Sequence, residues 1–237
     1  MEEARLMRRV LDHGYVILHE VLGSDLTVVN AARVSYNRRK QTLEEEDVRL
    51  LRYMATHEHR SPFYHPKLQF EVKAPLVVAR QWWRHVVDSV HTVEETAWNE
   101  LSRRYVSEEP EFYRPGPEAW RRPHPRNKQA AAGPLGAEAG AYWSRELDAA
   151  IEDGIRRYRA ALEAGIAPEQ ARLFLPAYGL YTSWYWTASL WSVWHFCALR
   201  EGEDAQGEIR EYARAVRELA EAAFPESFRV LSEAGLR

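Results

Sequence analysis

Cysteine is almost missing from this chain. The single thiol, Cys197 in "WSVWHFCALR", excludes an internal disulfide. Set among apolar neighbours, it fits an inert buried side chain in a reducing compartment. Long hydrophobic runs are missing too, and none approaches the length of a membrane span. The opening residues, "MEEARLMRRVLDHG", mix both charge signs without an apolar stretch, unlike a secretory leader. These absences predict a cytoplasmic protein with no membrane attachment. A surplus of one charge is lacking as well: the net charge is −3, so no basic field points to nucleic acid. No internal repeat is visible.

Aromatic residues are plentiful, with nine Trp and twelve Tyr. Such a load suits large apolar contacts, subunit interfaces or planar ligands that stack. The 237 residues suffice for a substantial core and are most simply one domain, 1–237.

Patterning predicts an α/β (α+β) chain with few strands and about six helices. "GYVILHEV" reads as a strand. Ser24 then caps an amphipathic helix, "SDLTVVNAARVS", and Thr42 caps a second, "LEEEDVRLLRYMATHEH", whose acidic first turn suits the helix macrodipole. Ser61-Pro62 breaks it, and "KLQFEVKA" alternates as a strand. Pro75 opens a helix running to Val90, with Ala79, Trp82, Trp83, Val86 and Val90 as a buried stripe. Between Ser107 and Gly136 six prolines mark a long surface excursion, given something to bury by Phe112, Tyr113 and Trp120. A long helix, about Glu138 to Ala164, closes on Gly165. A short helix follows in "APEQARLFLP", an aromatic strand in "LYTSWYWTA", and two more helices in "SLWSVWHFCALR" and "AQGEIREYARAVRELAEAAF".

Four stretches carry residues suited to chemistry. Opposite the buried stripe lie Arg80, Gln81, Arg84, His85 and Asp88, either a solvated face or a recognition surface of amide, guanidinium and imidazole groups. In "WNELSRRYV", Glu100, Ser102 and Arg104 alternate and share one face of an extended segment, where they could hold a phosphate and a neighbouring donor. "THEHRSPFYHP" places His57, His59 and His65 close together, but His57 and His59 diverge on a helix and no carboxylate completes a metal set, so no metal is expected. Arg172 and Arg200 sit in otherwise apolar elements, where a guanidinium calls for an anionic partner, either a carboxylate of the protein or a ligand.

In order along the chain, "AARVSY", "HEHRSPFYH", "VKAPLVVARQWWRH", "NELSRRY", "ARLFLP", "LYTSWYWTAS" and "ALR…AQGEIREYA" resemble the flavin-dependent thymidylate synthases, over roughly residues 10 to 215. The resemblance implies methylation of dUMP to dTMP, with methylenetetrahydrofolate as carbon donor and FAD reduced by NADPH. It also implies a homotetramer with active sites at subunit junctions. By position, Gln81, Arg84, Glu100, Ser102, Arg103, Arg104, Arg172 and Arg200 correspond to dUMP-binding residues, Arg200 being the one that polarises the uracil. Ser35, His59, Ser61, Arg84, His85, Glu100, Ser189 and His195 correspond to the FAD and folate side. With its cysteine in the core, the chain would dispense with the thiol nucleophile of the better-known thymidylate synthases.

Two departures stand out. The family signature is Arg-His-Arg, seven residues, then Ser; here Val86 takes the third position, and Ser102 follows a longer interval that reads as an insertion. In "TASLWSVWHF", Ser189, Trp191 and His195 occupy positions where the family commonly has Asn, Arg and Asn or His. Each lost charge-assisted contact to a pyrophosphate would cost about 1.5–3 kcal/mol. Either Arg38, Arg39, Arg103 or an inserted residue compensates, or FAD binds weakly, or the chemistry differs. The alternatives on this fold are a folate-dependent dUMP hydroxymethylating enzyme and a silent nucleotide-binding paralogue.

Overall fold

Strand β3, Lys67–Pro75, alternates half-buried and buried residues along its length, the mark of a strand with one face on the core. In the computed structural model, which describes residues 6–86, 99–102, 109–128 and 130–235, it lies inside a four-stranded antiparallel sheet. The order is β1 (Met7–Val10), β2 (Gly14–Leu22), β3, β6 (Tyr181–Ser189). Register sets Val16 opposite Val72 and Phe70 opposite Trp186. The inner face, with Val16, Phe70, Val72, Trp184 and Trp186, is sealed from water. On the outer face, Glu71 accepts hydrogen bonds from Tyr15 Oη at 2.7 Å and pairs with His19 Nε2 at 2.9 Å.

Helices cover the inner face, save Ala137–Glu163 and Pro168–Ala171, which pack on each other away from it. In chain order they are α1 (Asp25–Arg33), α2 (Glu45–Thr56), α3 (Leu76–Trp82), α4 (Ala137–Glu163), α5 (Pro168–Ala171), α6 (Leu190–Arg200), α7 (Gly207–Ala223) and α8 (Pro225–Glu233). A purely antiparallel main sheet with segregated helices is α+β rather than α/β. Eight helices stand among the described residues where about six were expected. A second small cluster, Phe112, Ile151 and Leu175, seats α4 on the proline-rich excursion, whose short strands β4 (Arg121–Pro123) and β5 (Ala131–Pro134) pair with each other.

Two expectations are corrected. The cap of α2 is Glu44 and not Thr42, because the buried Asp47 carboxylate accepts the Glu44 N–H at 3.0 Å and is anchored by Arg33 at 2.7 Å. The helix expected to reach Val90 ends at Trp82: the chain turns at Trp83 and His85 swings inward, its N–H bonded to Trp82 O. Residues 87–98, and with them Asp88 and Val90, lie outside the described residues. Strand β1, the β4–β5 hairpin and α8 had no counterpart in the sequence pattern. No helix among the described residues is long and apolar enough to cross a membrane.

Candidate active site

Short as it is, α3 is held hard against the sheet. Trp82 lies 4.3 Å from the Phe196 ring and stands edge-on to Trp184 and Trp186 at 5.5 and 5.3 Å. That aromatic block fixes where the chain leaves the helix, and so fixes Gln81, Arg84 and His85. Gln81 uses both protons of Nε2, donating to Val77 O at 3.2 Å and to Gln206 Oε1 at 2.6 Å. His85 is buried edge-on against Phe196, and its Nε2 accepts from Arg200 Nε at 2.8 Å.

Acceptance at that nitrogen requires an uncharged imidazole. Burial, then the neighbouring Arg200, His195 and Arg84, pushes the His85 pKa down to about 3. Arg200, half-buried at the end of α6, is itself held below its ordinary range by desolvation and by Arg84. Among the described residues no carboxylate touches Arg200 or Arg84; Asp204 favours the Arg200 cation only from a distance. Two guanidinium charges therefore remain uncompensated beside Gln81 and His85. His195 lies 6.4 Å from His85, ring to ring.

A second group forms at the other end of α3. Residues 99–102 run along the edge of β6, with Glu100 bridged to Trp184 and Leu101 N–H bonded to Ser183 O. Glu100 accepts from Thr182 Oγ1 at 2.8 Å. Glu100, Ser102 and Arg172 line one cleft of about 750 Å³ together with Leu76 and Leu173. Arg172 is exposed, and its Nε donates to Glu169 O. This cleft and the Arg84–Arg200 pair lie at opposite ends of α3, a helix about 10 Å long. Arg103 and Arg104 lie outside the described residues.

The residues assigned to the flavin side scatter more widely. Ser35, His59 and Ser61 are all exposed, with His59 edge-on to Tyr53. Ser189 is sealed from solvent and accepts the Ser192 N–H as the cap of α6, so its hydroxyl serves the helix. Trp191 is buried, and the Arg60 guanidinium lies 4.7 Å over its ring, which brings a cation close to a position where the sequence has none. Near Ser35, a cleft of about 600 Å³ is lined by Asn30, Asn37, Arg38, Arg39 and His65. Both arginines are exposed there, and among the described residues neither has a carboxylate partner. Two guanidiniums with amide and imidazole donors fit a diphosphate. His57, His59 and His65 do not gather as metal ligands among the described residues; Glu44, Glu46 and Asp47 do, but Lys40 and Arg33 already neutralise them.

Four residues escaped sequence reasoning. Arg121 of β4 holds Glu208 with Nη2 at 2.6 and 2.7 Å from its two carboxylate oxygens. Glu208 also accepts from Gln206 Nε2 at 2.8 Å. Tyr113 lies against the same carboxylate, and burial first, then that charge, holds its phenol above the usual range. The signal for two of them was "AQGEIREYA", whose glutamine and glutamate had no assigned role.

Comparison with known proteins adds to this geometry. A family model described as thymidylate synthase complementing protein matches residues 16–226. A flavin-dependent thymidylate synthase of Thermus thermophilus is 42% identical over 231 residues, 98% of this chain and 80% of that protein. One from Thermotoga neapolitana is 40% identical over 207 residues, 87% of this chain and 85% of that protein. Among solved structures, the crystal structure of a UMP/dUMP methylase PolB from Streptomyces cacaoi bound with 5-Br dUMP aligns with a TM-score of 0.80 at 27% identity, covering 95% of this chain and 97% of that one.

Proposed function

The chain belongs to the flavin-dependent thymidylate synthase family, and on that premise we propose that it methylates dUMP to dTMP, taking carbon from methylenetetrahydrofolate and reducing equivalents from NADPH through FAD. The observation that carries the reading is the pair Arg84 and Arg200, two guanidiniums without a carboxylate contact among the described residues, set around Gln81 and a neutral His85. A half-buried guanidinium with a second cation beside it attracts an anion, and a nucleotide supplies one.

Methyl transfer to C5 of uracil requires an activated ring. Cys197 is no source of activation: it is fully buried, and burial pushes its thiol well above the usual range. FAD, when bound and reduced, supplies the hydride that makes a thiol unnecessary. The part left to this chain is electrostatic, with Arg200 stabilising negative charge as it develops on the pyrimidine.

Glu100, Ser102 and Arg172 complete the nucleotide site from a second subunit in this reading. Support comes from the surface beside them: Leu173 is 81% exposed and Tyr178 68% exposed, an apolar rim suited to burial in a homotetramer. Arg38 and Arg39 take the FAD diphosphate, which answers the loss of an arginine at position 191.

The absorption spectrum of the purified protein, before and after FAD is added, tests the flavin role. The protein should be yellow or become so, and dUMP should accelerate NADPH oxidation. A product from dUMP heavier by a methyl group supports the reading; a hydroxymethyl addition, or failure to take up FAD, overturns it.

A further inference from the structure

A primary amide can face a ligand with its oxygen or with its nitrogen, and the two choices recognise opposite partners. At Gln81 the choice is made by a chain of hydrogen bonds that begins on the far side of the site. Glu208 is buried at the start of α7, and as a carboxylate it only accepts. Gln206 must therefore turn its Nε2 toward Glu208, at 2.8 Å, and its Oε1 toward Gln81. Gln81 must in turn offer Nε2, at 2.6 Å, with the second proton on Val77 O. Among the described residues, Gln81 Oε1 is left as the open end of the chain.

Arg121 pins the head of this chain. Its guanidinium packs so closely on Gly207 that an added Cβ there would overlap Nη1. The proline-rich excursion thus reaches the site through one side chain and fixes the Glu208 charge with two bonds.

We propose that Glu208 is a positioning residue that, through Gln206, forces Gln81 to present a carbonyl oxygen to the bound nucleotide, so that this position selects a hydrogen-bond donor of the substrate. On a pyrimidine deoxynucleotide the candidates are the N3–H and the 3′-hydroxyl; the phosphate has only acceptors to offer. The inference rests on the dUMP reading above.

Glu208→Met is the sharp test because it removes the acceptor at similar size. Gln206 Nε2 then has no carboxylate to face, and nothing dictates which end of Gln206, or of Gln81, points to the nucleotide. Binding of dUMP is compared with that of N3-methyl-dUMP and of 2′,3′-dideoxyuridine monophosphate, on the holoenzyme. The wild type should favour dUMP over one analogue by about tenfold or more, the scale of one buried hydrogen bond. In Glu208→Met that preference should fall to near unity; a preserved preference overturns the relay.

The exchange Arg121→Glu with Glu208→Arg separates relay from scaffold. It keeps an ion pair but reverses the donor order, so thermal stability should recover while dUMP preference should not. Recovery of both would make Glu208 structural only. A wild-type enzyme that binds no dUMP at all would refute the nucleotide reading itself, and the relay with it.

Discussion

Arg200 Nε donates to His85 Nε2 at 2.8 Å, a hydrogen bond between a cation and an imidazole that must stay neutral to receive it. With its pKa pushed from 6.5 down to about 3, the folded protein refuses a proton that the unfolded chain accepts. The unfolded state therefore binds more protons between about pH 6.5 and pH 3, and stability falls as pH falls through that window. The slope from this residue is at most about 1.4 kcal/mol per pH unit. His85→Gln keeps an acceptor for Arg200 but does not titrate. Its melting temperature should decline less than that of the wild type between pH 6.5 and 5; parallel curves would show that His85 is protonated in the folded state.

Removing Arg200 should separate chemistry from grip. If its charge acts on the developing uracil anion, Arg200→Ala should lose about 100-fold or more in kcat, the scale of deleting one donor to a developing oxyanion. The KM for dUMP should rise far less, because Arg84 and Gln81 stay in place. Steady-state kinetics at saturating FAD gives both numbers, and losses of equal size would reduce Arg200 to a binding residue.

Periodicity and long-range contact divide what the sequence could reveal here. The alternation of β3 and the span of α4 are local properties, and both were legible, down to Gly165 in the left-handed region after α4. The stripe through Trp83, Val86 and Val90 extended α3 too far because nothing local shows that His85 finds Arg200, 115 residues away. The start of α8 was hidden for the same reason: the Asp25 carboxylate accepts the N–H groups of Glu226 and Ser227 from 201 and 202 positions away. In the candidate site, the structure brings Arg84 and His85 beside Arg200, a grouping that only the family resemblance had suggested. Glu208 and Arg121 were not legible, since a charge on a helix and a charge in a proline-rich excursion look solvated until folding joins them.

The flavin assignment stands on Arg38 and Arg39. Each charge-assisted contact to a diphosphate is worth about 1.5–3 kcal/mol, so the double change to Ala should weaken FAD by roughly two to four orders of magnitude. Both side chains are exposed and bear little on the core, so the melting temperature of the apo-protein should stay near the wild-type value. Flavin fluorescence titration reads the affinity; unchanged FAD binding would move the diphosphate elsewhere.

The proline-rich excursion depends on a close approach that only glycine allows. A Cβ at Gly140 of α4 would overlap the Pro117 carbonyl oxygen and sit 2.8 Å from its carbon, and backbone on both sides leaves neither partner free to yield. Ser144, one turn on, donates to Pro115 O and accepts from Trp120 Nε1, both at 2.9 Å, so the same helix face holds the segment by hydrogen bonds. Overpacking of this kind costs about 1–3 kcal/mol, and each of the two bonds lost in Ser144→Ala costs about 0.5–1.5 kcal/mol. Gly140→Ala should therefore lower the melting temperature on the same scale as Ser144→Ala does. Since the displaced segment carries Arg121, it should also raise the KM for dUMP, which Ser144→Ala should leave nearly unchanged. If Gly140→Ala melts at the wild-type temperature, α4 and the excursion are free to part and Arg121 is not anchored from this side.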